Sequence, residues 1–465
     1  MTQPITLFDY QQVSKDWLFA QRKGILADEM GVGKTFPALC AAVLHVRPRL
    51  IVAPAYLLTN WEVAIQQLAT SLTYVRLDGN KTPEQKYELL KDPKQWDFVL
   101  SSYSTIGLGQ PNSKPTPKSL PKPAYAFGKT IWNVCICDEA HYLRGRNNQV
   151  TQFMYRINFN NLYLLTGTPI QSNGGDLYPL LHLCDPKKYS SYWSFVERYC
   201  HLQKDPWQTI VGPVINPEQL HAEVLSKHLL RRKLQDVRSD IPEYVQKPIW
   251  IDLTSVTRTK LQIIKKEVVK LVVENGTLQK VPLTSAAAVV HELRRTIAQD
   301  AEKLKTVADL VGDYDSTKLI VWCWYKETVV AIQNAIQKRF KKRTVYSITG
   351  EHSQTLRSTM AAKFNESKND VLICTIASMS LGMNLQSSHI AIFYERDYLP
   401  SVNTQAIGRQ VRVGQTEVVR VYDLVALRSA DSTIYTSAQK KADDIDAALA
   451  PTKMTYRILS ELLLD

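Results

Sequence analysis

Asp28-Glu29-Met30-Gly31-Val32-Gly33-Lys34-Thr35 decides how the first part of this chain folds. Its last three residues, Gly-Lys-Thr, are the tail of a phosphate-binding loop. The apolar run Gly24-Ile25-Leu26-Ala27 leads into it, and helix-compatible sequence from Ala38 to Leu44 follows. Strand, turn and helix in that order aim backbone N–H groups and the positive end of a helix dipole at one anion. In that setting Gly31 and Gly33 belong to the cradle, Lys34 reaches the β/γ-phosphates, and the Thr35 hydroxyl binds Mg²⁺. The first glycine of the general pattern is Asp28 here.

Further along stands Asp138-Glu139-Ala140-His141, directly after the apolar run Val134-Cys135-Ile136-Cys137. Such a run suits a buried parallel strand. A strand ending in Asp-Glu puts both carboxylates at the carboxyl edge of the sheet, beside the phosphate loop. Asp138 is then expected to hold Mg²⁺, directly or through water, and Glu139 to orient and activate the attacking water. Phosphoryl transfer needs little beyond positioning and charge neutralisation, so Lys34, Thr35, Asp138 and Glu139 cover one side of the work.

Composition narrows the partners. The chain has 465 residues, enough for two core domains with insertions, and a formal net charge of +13, which points to a polyanion. The seven cysteines have no framework spacing, and Cys135 and Cys137 read as core residues, so neither a disulfide scaffold nor a zinc site is expected. That usage suits a reducing compartment. No export signal is visible after Met1, and no apolar run is long enough to span a membrane. The expected location is intracellular: nuclear for a cellular eukaryotic protein, cytoplasmic for a bacterial or phage one.

Along the chain, residues 1–185 read as an α/β lobe with strands at Leu50–Ala53, Phe98–Leu100, Val134–Cys137 and Leu162–Leu165. Between Phe98 and Cys137 there is no acidic residue, and Lys114, Lys118 and Lys122 alternate with prolines. This reads as a basic surface loop, either a nucleic-acid contact or a tolerated insertion. Residues 186–310 read as a mostly helical insertion, with helical patterns over Gln219–Val237, Ser255–Leu271 and Ser285–Val311 and a basic cluster at Arg231-Arg232-Lys233. The α/β rhythm returns over 311–430, with strands at Leu319–Trp324, Val345–Ile348, Val371–Cys374, Ile390–Phe393 and Val418–Tyr422 but no second Gly-Lys-Thr. The tail, 431–465, is helical with a break at Pro451 and is expected to pack back across the lobes as a brace. The fold class expected is therefore α/β, with two RecA-like parallel-sheet lobes and a helical insertion between them.

The second lobe carries Gln405-Ala406-Ile407-Gly408-Arg409-Gln410-Val411-Arg412. Arginines three apart share one face of a helix. With a phosphate loop in one lobe only, Arg409 and Arg412 are candidates for a finger on the γ-phosphate of ATP held in a cleft between lobes.

Taken in order, these motifs resemble the Snf2 family of helicase-like, double-stranded-DNA-dependent ATPases in helicase superfamily 2, over about residues 7–445. Leu7-Phe8-Asp9-Tyr10-Gln11 resembles the adenine-reading entry motif, which implies that Gln11 reads adenine. Asp28–Thr35 has the family's own form of the phosphate loop. Ile51–Trp61 resembles a motif that touches the DNA backbone, and Leu165–Asn173 one that couples nucleotide to DNA. Leu230-Arg231-Arg232-Lys233 with Asp236-Val237 and Ile241-Pro242 resembles the family-specific insertion, and Ser380–Leu385 precedes the arginine motif. The resemblance implies Asn384 and Gln405 as coupling or contact residues. Two positions depart: Val411 stands where the family usually has His, and Tyr398-Leu399-Pro400 where it has Trp-Asn-Pro.

The implied activity is DNA-stimulated ATP hydrolysis with Mg²⁺, driving translocation along double-stranded DNA held mainly by its phosphates, with a targeting protein as a further partner. A strand-separating helicase and a catalytically inactive DNA-binding scaffold are the alternatives. The length leaves no room for a chromatin-reading extension, so a nearly bare motor is expected.

Overall fold

Short apolar runs bounded by turns form buried parallel strands in two separate sheets. The computed structural model describes residues 5–106, 122–205, 208–238, 240–274, 277–278, 283–381 and 383–449. Lys114 and Lys118 lie outside the described residues, as do Gly382 of the Ser380–Leu385 motif and the expected break at Pro451. Contacts divide the chain into two units, Met1–Arg238 with Lys441–Asp465, and Ser239–Lys440.

In the first unit, β1 (Lys23–Leu26), β2 (Arg49–Ala53), β3 (Tyr74–Leu77), β4 (Phe98–Ser102), β5 (Ile131–Asp138) and β6 (Asn158–Leu165) share a sheet with a late strand, β9 (Leu229–Leu230). The order is β3-β4-β2-β5-β6-β1-β9, and every pair is parallel. β2 and β4 are buried along their whole length. That explains their apolar runs, Leu50–Ala53 and Phe98–Leu100, since both faces of a parallel sheet are covered. Cys135 and Cys137 are buried, and their thiols lie 3.8 Å apart on one face of β5. Helices α1 (Asp9–Gln21), α2 (Thr35–Val43) and α3 (Leu58–Leu68) flank the sheet, with Leu18, Leu39 and Trp61 in the core beneath them. An antiparallel hairpin, β7 (Cys200–Asp205) and β8 (Gln208–Val214), also belongs to this unit.

The second unit holds β10 (Tyr244–Ile251), a small ribbon of β11 (Val273–Glu274) and β12 (Thr277–Leu278), and β13 (Leu319–Cys323), β14 (Val345–Ile348), β15 (Val371–Thr375), β16 (Ile390–Phe393) and β17 (Val419–Ala426). Its main sheet runs β10-β17-β16-β13-β15-β14, again wholly parallel.

In chain order, helices stand between the strands of the two sheets across residues 186–310, together with the hairpin β7–β8 and the strands β9 and β10. The contact boundary at Arg238/Ser239 splits them between the two units. The helix expected over Gln219–Val237 breaks at β9, because Leu229-Leu230 find an open strand edge on β1 and a sheet ladder outweighs local helix preference. β10 was hidden by Pro248, which an edge strand tolerates since one of its sides needs no ladder N–H. The pattern Ser285–Val311 becomes two helices, Leu283–Ala298 and Ala301–Asp313. The break falls at buried Asp300, whose carboxylate caps the second helix by accepting from Glu302 N–H and Lys303 N–H. Ala430–Leu449 is a single helix; its Ile445, Ala448 and Leu449 pack in the core of the first unit.

Candidate active site

β1 hands the chain to the loop Asp28–Lys34, and α2 begins at Thr35. Gly31 and Gly33 both have φ of 85°, a region in which a side chain is strained. At Gly33 there is a second reason for glycine: a Cβ would lie 2.7 Å from Gln11 Nε2. The buried Gln11 amide donates to Gly33 O at 3.1 Å and Val32 O at 3.4 Å, while its Oε1 accepts from Phe8 N–H at 3.2 Å. The Tyr10 hydroxyl donates to Val32 O at 3.2 Å. α1 therefore holds the loop through the carbonyls of Val32 and Gly33.

Lys34 Nζ donates to Asp28 O at 2.7 Å and Glu29 O at 3.1 Å, so its ammonium is folded over its own loop. Burial lowers its pKa, and the charges of Glu139, Asp28, Asp138 and Glu29 pull it back up. Lys34 and the acid pair thus share one electrostatic neighbourhood at the carboxyl edge of the sheet. The segment after β6 closes against the same loop: Thr166 N–H donates to Leu26 O at 3.1 Å, and a Cβ on Gly167 would meet Met30 Cγ at 3.0 Å.

Asp138 ends β5. One carboxylate oxygen accepts from Trp61 Nε1 at 2.9 Å, and the other accepts from Glu139 N–H at 2.9 Å. Burial first, and Glu139 second, push its pKa up to about 6, against the pull of Trp61 and Lys34. Tyr103, just after β4, donates from Oη to Asp138 O at 2.8 Å and reaches past β2 to fix the end of β5. Glu139 follows in the left-handed region, φ 50° and ψ 51°, which costs a non-glycine residue about 1–3 kcal/mol. The kink turns its side chain toward His141, whose Nδ1 lies 3.2 Å from Glu139 Oε2.

These groups fit a magnesium ion carried with a nucleotide. Mg²⁺ takes hard oxygen ligands and few of them from protein. Thr35 supplies a hydroxyl at the start of α2, and each Asp138 oxygen keeps lone-pair capacity beyond its single hydrogen bond. A cation there would also relieve the repulsion between Asp138 and Glu139.

Two residues at this site carry roles the sequence did not reveal. Trp61, read with a DNA-contact motif, is 1% exposed and spends its indole N–H on Asp138. Arg232 donates to the buried Asp28 carboxylate through Nε at 3.1 Å and through Nη2. The signal for Arg232 was Asp28 itself, an acid where the general loop has glycine.

In the second unit the helix Pro400–Ile407 stops short of Arg409 and Arg412. The two arginines do not share a helical face; they lie on the turn that follows. Gln410 and Gln415 hold that turn: their side-chain amides donate to Ser388 O at 3.2 and 3.1 Å, and Gly414 takes φ of 95°. The helix cannot continue because these buried amides anchor the backbone elsewhere. Arg412 Nη1 donates to Asn384 Oδ1, and Leu385 N–H donates to Arg409 O at 3.0 Å. The arginine turn and the Asn384 motif are thus one assembly. Burial, then the charge of Arg409, lowers the Arg412 pKa. Gln405 is half-buried on the preceding helix.

The model of the SNF2-related domain matches residues 10–302, more than half of the chain. The chain belongs to the SNF2 family. A helicase conserved C-terminal domain follows over residues 302–414, so this is a superfamily 2 core built from both parts. Among curated relatives, this SNF2 core is 25% identical to Protein CHROMATIN REMODELING 4 of Arabidopsis thaliana, over 94% of the chain and 21% of the relative. It is 25% identical to the SWI/SNF chromatin-remodeling complex subunit snf22 of Schizosaccharomyces pombe, over 94% and 28%. It is 26% identical to the SWI/SNF-related matrix-associated actin-dependent regulator of chromatin subfamily A member 1 of Mus musculus, over 94% and 42%. The chain thus spans well under half the length of these relatives. A solved SWI2/SNF2 ATPase core of Sulfolobus solfataricus, in complex with dsDNA, is 18% identical with a TM-score of 0.44, covering 97% of this chain and 94% of that one.

Proposed function

We propose that this SNF2 core hydrolyses ATP when stimulated by DNA, and uses the cycle to translocate along double-stranded DNA and remodel DNA or protein–DNA complexes without necessarily separating strands. The observation that carries the reading is the convergence of Lys34, Asp138 and Glu139 on one electrostatic neighbourhood at the edge of one sheet. The net charge of +13 supports a polyanionic track, and the chromatin-remodelling names of the relatives support duplex DNA.

In this mechanism Lys34 leaves the carbonyls of Asp28 and Glu29 for the β/γ-phosphates, and the N–H groups of the Gly31–Thr35 turn take the phosphate oxygens. Thr35 and Asp138 hold Mg²⁺, which supplies charge neutralisation across the phosphates. Glu139, oriented by its left-handed backbone and by His141, aligns the attacking water and takes its proton. Gln11 reads the adenine edge. Arg409 and Arg412 stabilise charge on the γ-phosphate in the transition state, and Asn384 positions Arg412.

Steady-state ATP hydrolysis without nucleic acid and with duplex, single-stranded, forked and RNA ligands tests the reading. Stimulation strongest with duplex is expected. Stimulation by RNA alone, or by nothing, overturns it, and strand separation on forked DNA would make the chain a helicase.

A further inference from the structure

We propose that Arg232 is a positioning residue that holds the base-reading and phosphate-reading halves of the nucleotide site in register. The inference rests on the ATPase reading above and assigns a role to the basic cluster that the mechanism leaves unused.

Arg232 has one guanidinium and acceptors on both halves of the site. Nε donates to Asp28 Oδ1 at 3.1 Å and Nη2 to Asp28 Oδ2, a two-pronged grip on a carboxylate that is 1% exposed. Nη1 donates to Tyr10 O at 2.5 Å, and Nη2 also to Ser14 Oγ. Asp28 opens the phosphate loop, while Tyr10 and Ser14 flank Gln11 on α1. The backbone makes the same link: Glu29 N–H donates to Arg232 O at 3.0 Å, Ala27 N–H to Leu230 O at 2.7 Å, and Leu234 N–H to Glu29 Oε2 at 3.0 Å. β9 is thus a splint along β1 and its loop. Its other basic residues are occupied too: Arg231 and Lys233 pair with Asp446 at 3.1 and 2.9 Å. All three side chains of the cluster are paired with acids of their own unit.

The planar fork explains why arginine stands here. A lysine ammonium keeps the charge but cannot span a carboxylate, a carbonyl and a hydroxyl in fixed directions. Loosening this fork frees α1 relative to the loop, and with it Gln11, whose amide contacts Val32 O and Gly33 O depend on that spacing. The defect should therefore fall on nucleotide binding and base choice more than on the chemical step.

The experiment compares full-length wild type, Arg232→Lys, Asp28→Asn and the double variant, measuring KM and kcat for ATP and for GTP with saturating duplex, and melting temperature alongside. Each single variant is expected to raise KM for ATP by about tenfold, to narrow the preference for ATP over GTP, and to keep kcat within about threefold. The double variant should add little to either, since both substitutions break one link. Asp28→Asn, which changes no volume, keeps the test valid if Arg232→Lys folds poorly. A lower melting temperature with unchanged KM and base preference makes the ion pair merely structural and overturns the proposal, as does a loss confined to kcat. If wild type shows no ATP hydrolysis that Lys34→Ala removes, the ATPase reading itself fails, which is a different result from an active wild type whose KM ignores Arg232.

Discussion

Lys34 and Glu139 lie in the same field but are assigned different steps, and single substitutions separate them. Lys34→Ala removes the main point charge on the β/γ-phosphates. Hydrolysis should fall to near background while duplex binding persists, as read by ATPase rate and by DNA affinity. Glu139→Gln keeps the shape and leaves Asp138 to hold Mg²⁺, so nucleotide should still bind while turnover falls by roughly 10²-fold or more. A Glu139→Gln protein whose only defect is weaker nucleotide binding would remove the base assignment. At this scale the sequence pointed to candidate groups for the chemistry and left their supports obscure. Gly-Lys-Thr and Asp-Glu suggest their assigned roles because phosphate chemistry accepts few substitutes. Trp61 and Arg232 act by contacts between segments far apart in the chain, and no local pattern encodes such a meeting. Asp28 was the one local sign, since a buried acid demands a partner.

Among the elements, the inner strands of the two large sheets were readable, whereas the edge strands β3, β9 and β10 were missed and only β14 among the edges was read. β16 matches the residues its apolar run suggests, Ile390–Phe393, because burial along its whole length enforces a continuous apolar string; β14 also matches, at Val345–Ile348, although it is an edge strand in which only Ile348 is fully buried. β10 carries Gln246, Lys247 and Pro248, permitted at the rim of a sheet, so its sequence looks like a connection. The arginine turn after Ile407 misled for another reason: three-residue spacing fits a helix face, yet Gln410 and Gln415 pin a turn there. The joint between the helix Ala301–Asp313 and β14 offers a test of how the second sheet is held. Arg343, 7% exposed, donates to Asn369 O and Val311 O at 2.6 Å, to Tyr314 O at 3.1 Å and to Thr317 O at 2.5 Å. Arg343→Met fills similar space but strands these carbonyls, and should cost the second unit about 2–4 kcal/mol. Denaturant unfolding of the full chain should show a lower midpoint for that unit. An unchanged midpoint would mean that water replaces the guanidinium without loss.

For the whole molecule, charge and the second unit carry the remaining predictions. With 57 Lys and Arg against 44 Asp and Glu, duplex affinity should fall steeply with added salt as counterion release is lost, and it should depend little on base sequence. A flat salt dependence would mean that the excess charge lies away from DNA. The arginine turn tests whether the unit without a phosphate loop takes part in chemistry at all. Its folding does not require the guanidinium groups to touch nucleotide, since Gln410, Gln415 and Gly414 shape the turn. Nucleotide affinity is assigned to Gln11, Lys34 and Thr35 in the first unit. Arg409→Ala and Arg412→Ala should therefore leave melting and nucleotide binding near wild type and sharply lower DNA-stimulated turnover, the signature of a contact made in the transition state. Arg409→Lys should rescue poorly, because a compact ammonium cannot reproduce the fork. Arg412 has a second task through Asn384, so Asn384→Ala should imitate part of the Arg412→Ala defect if that amide sets the guanidinium direction. The rates are compared with and without saturating duplex. If both arginine variants keep full stimulation, the second unit contributes no charge to phosphoryl transfer, and ATP hydrolysis must be coupled to DNA by residues other than these.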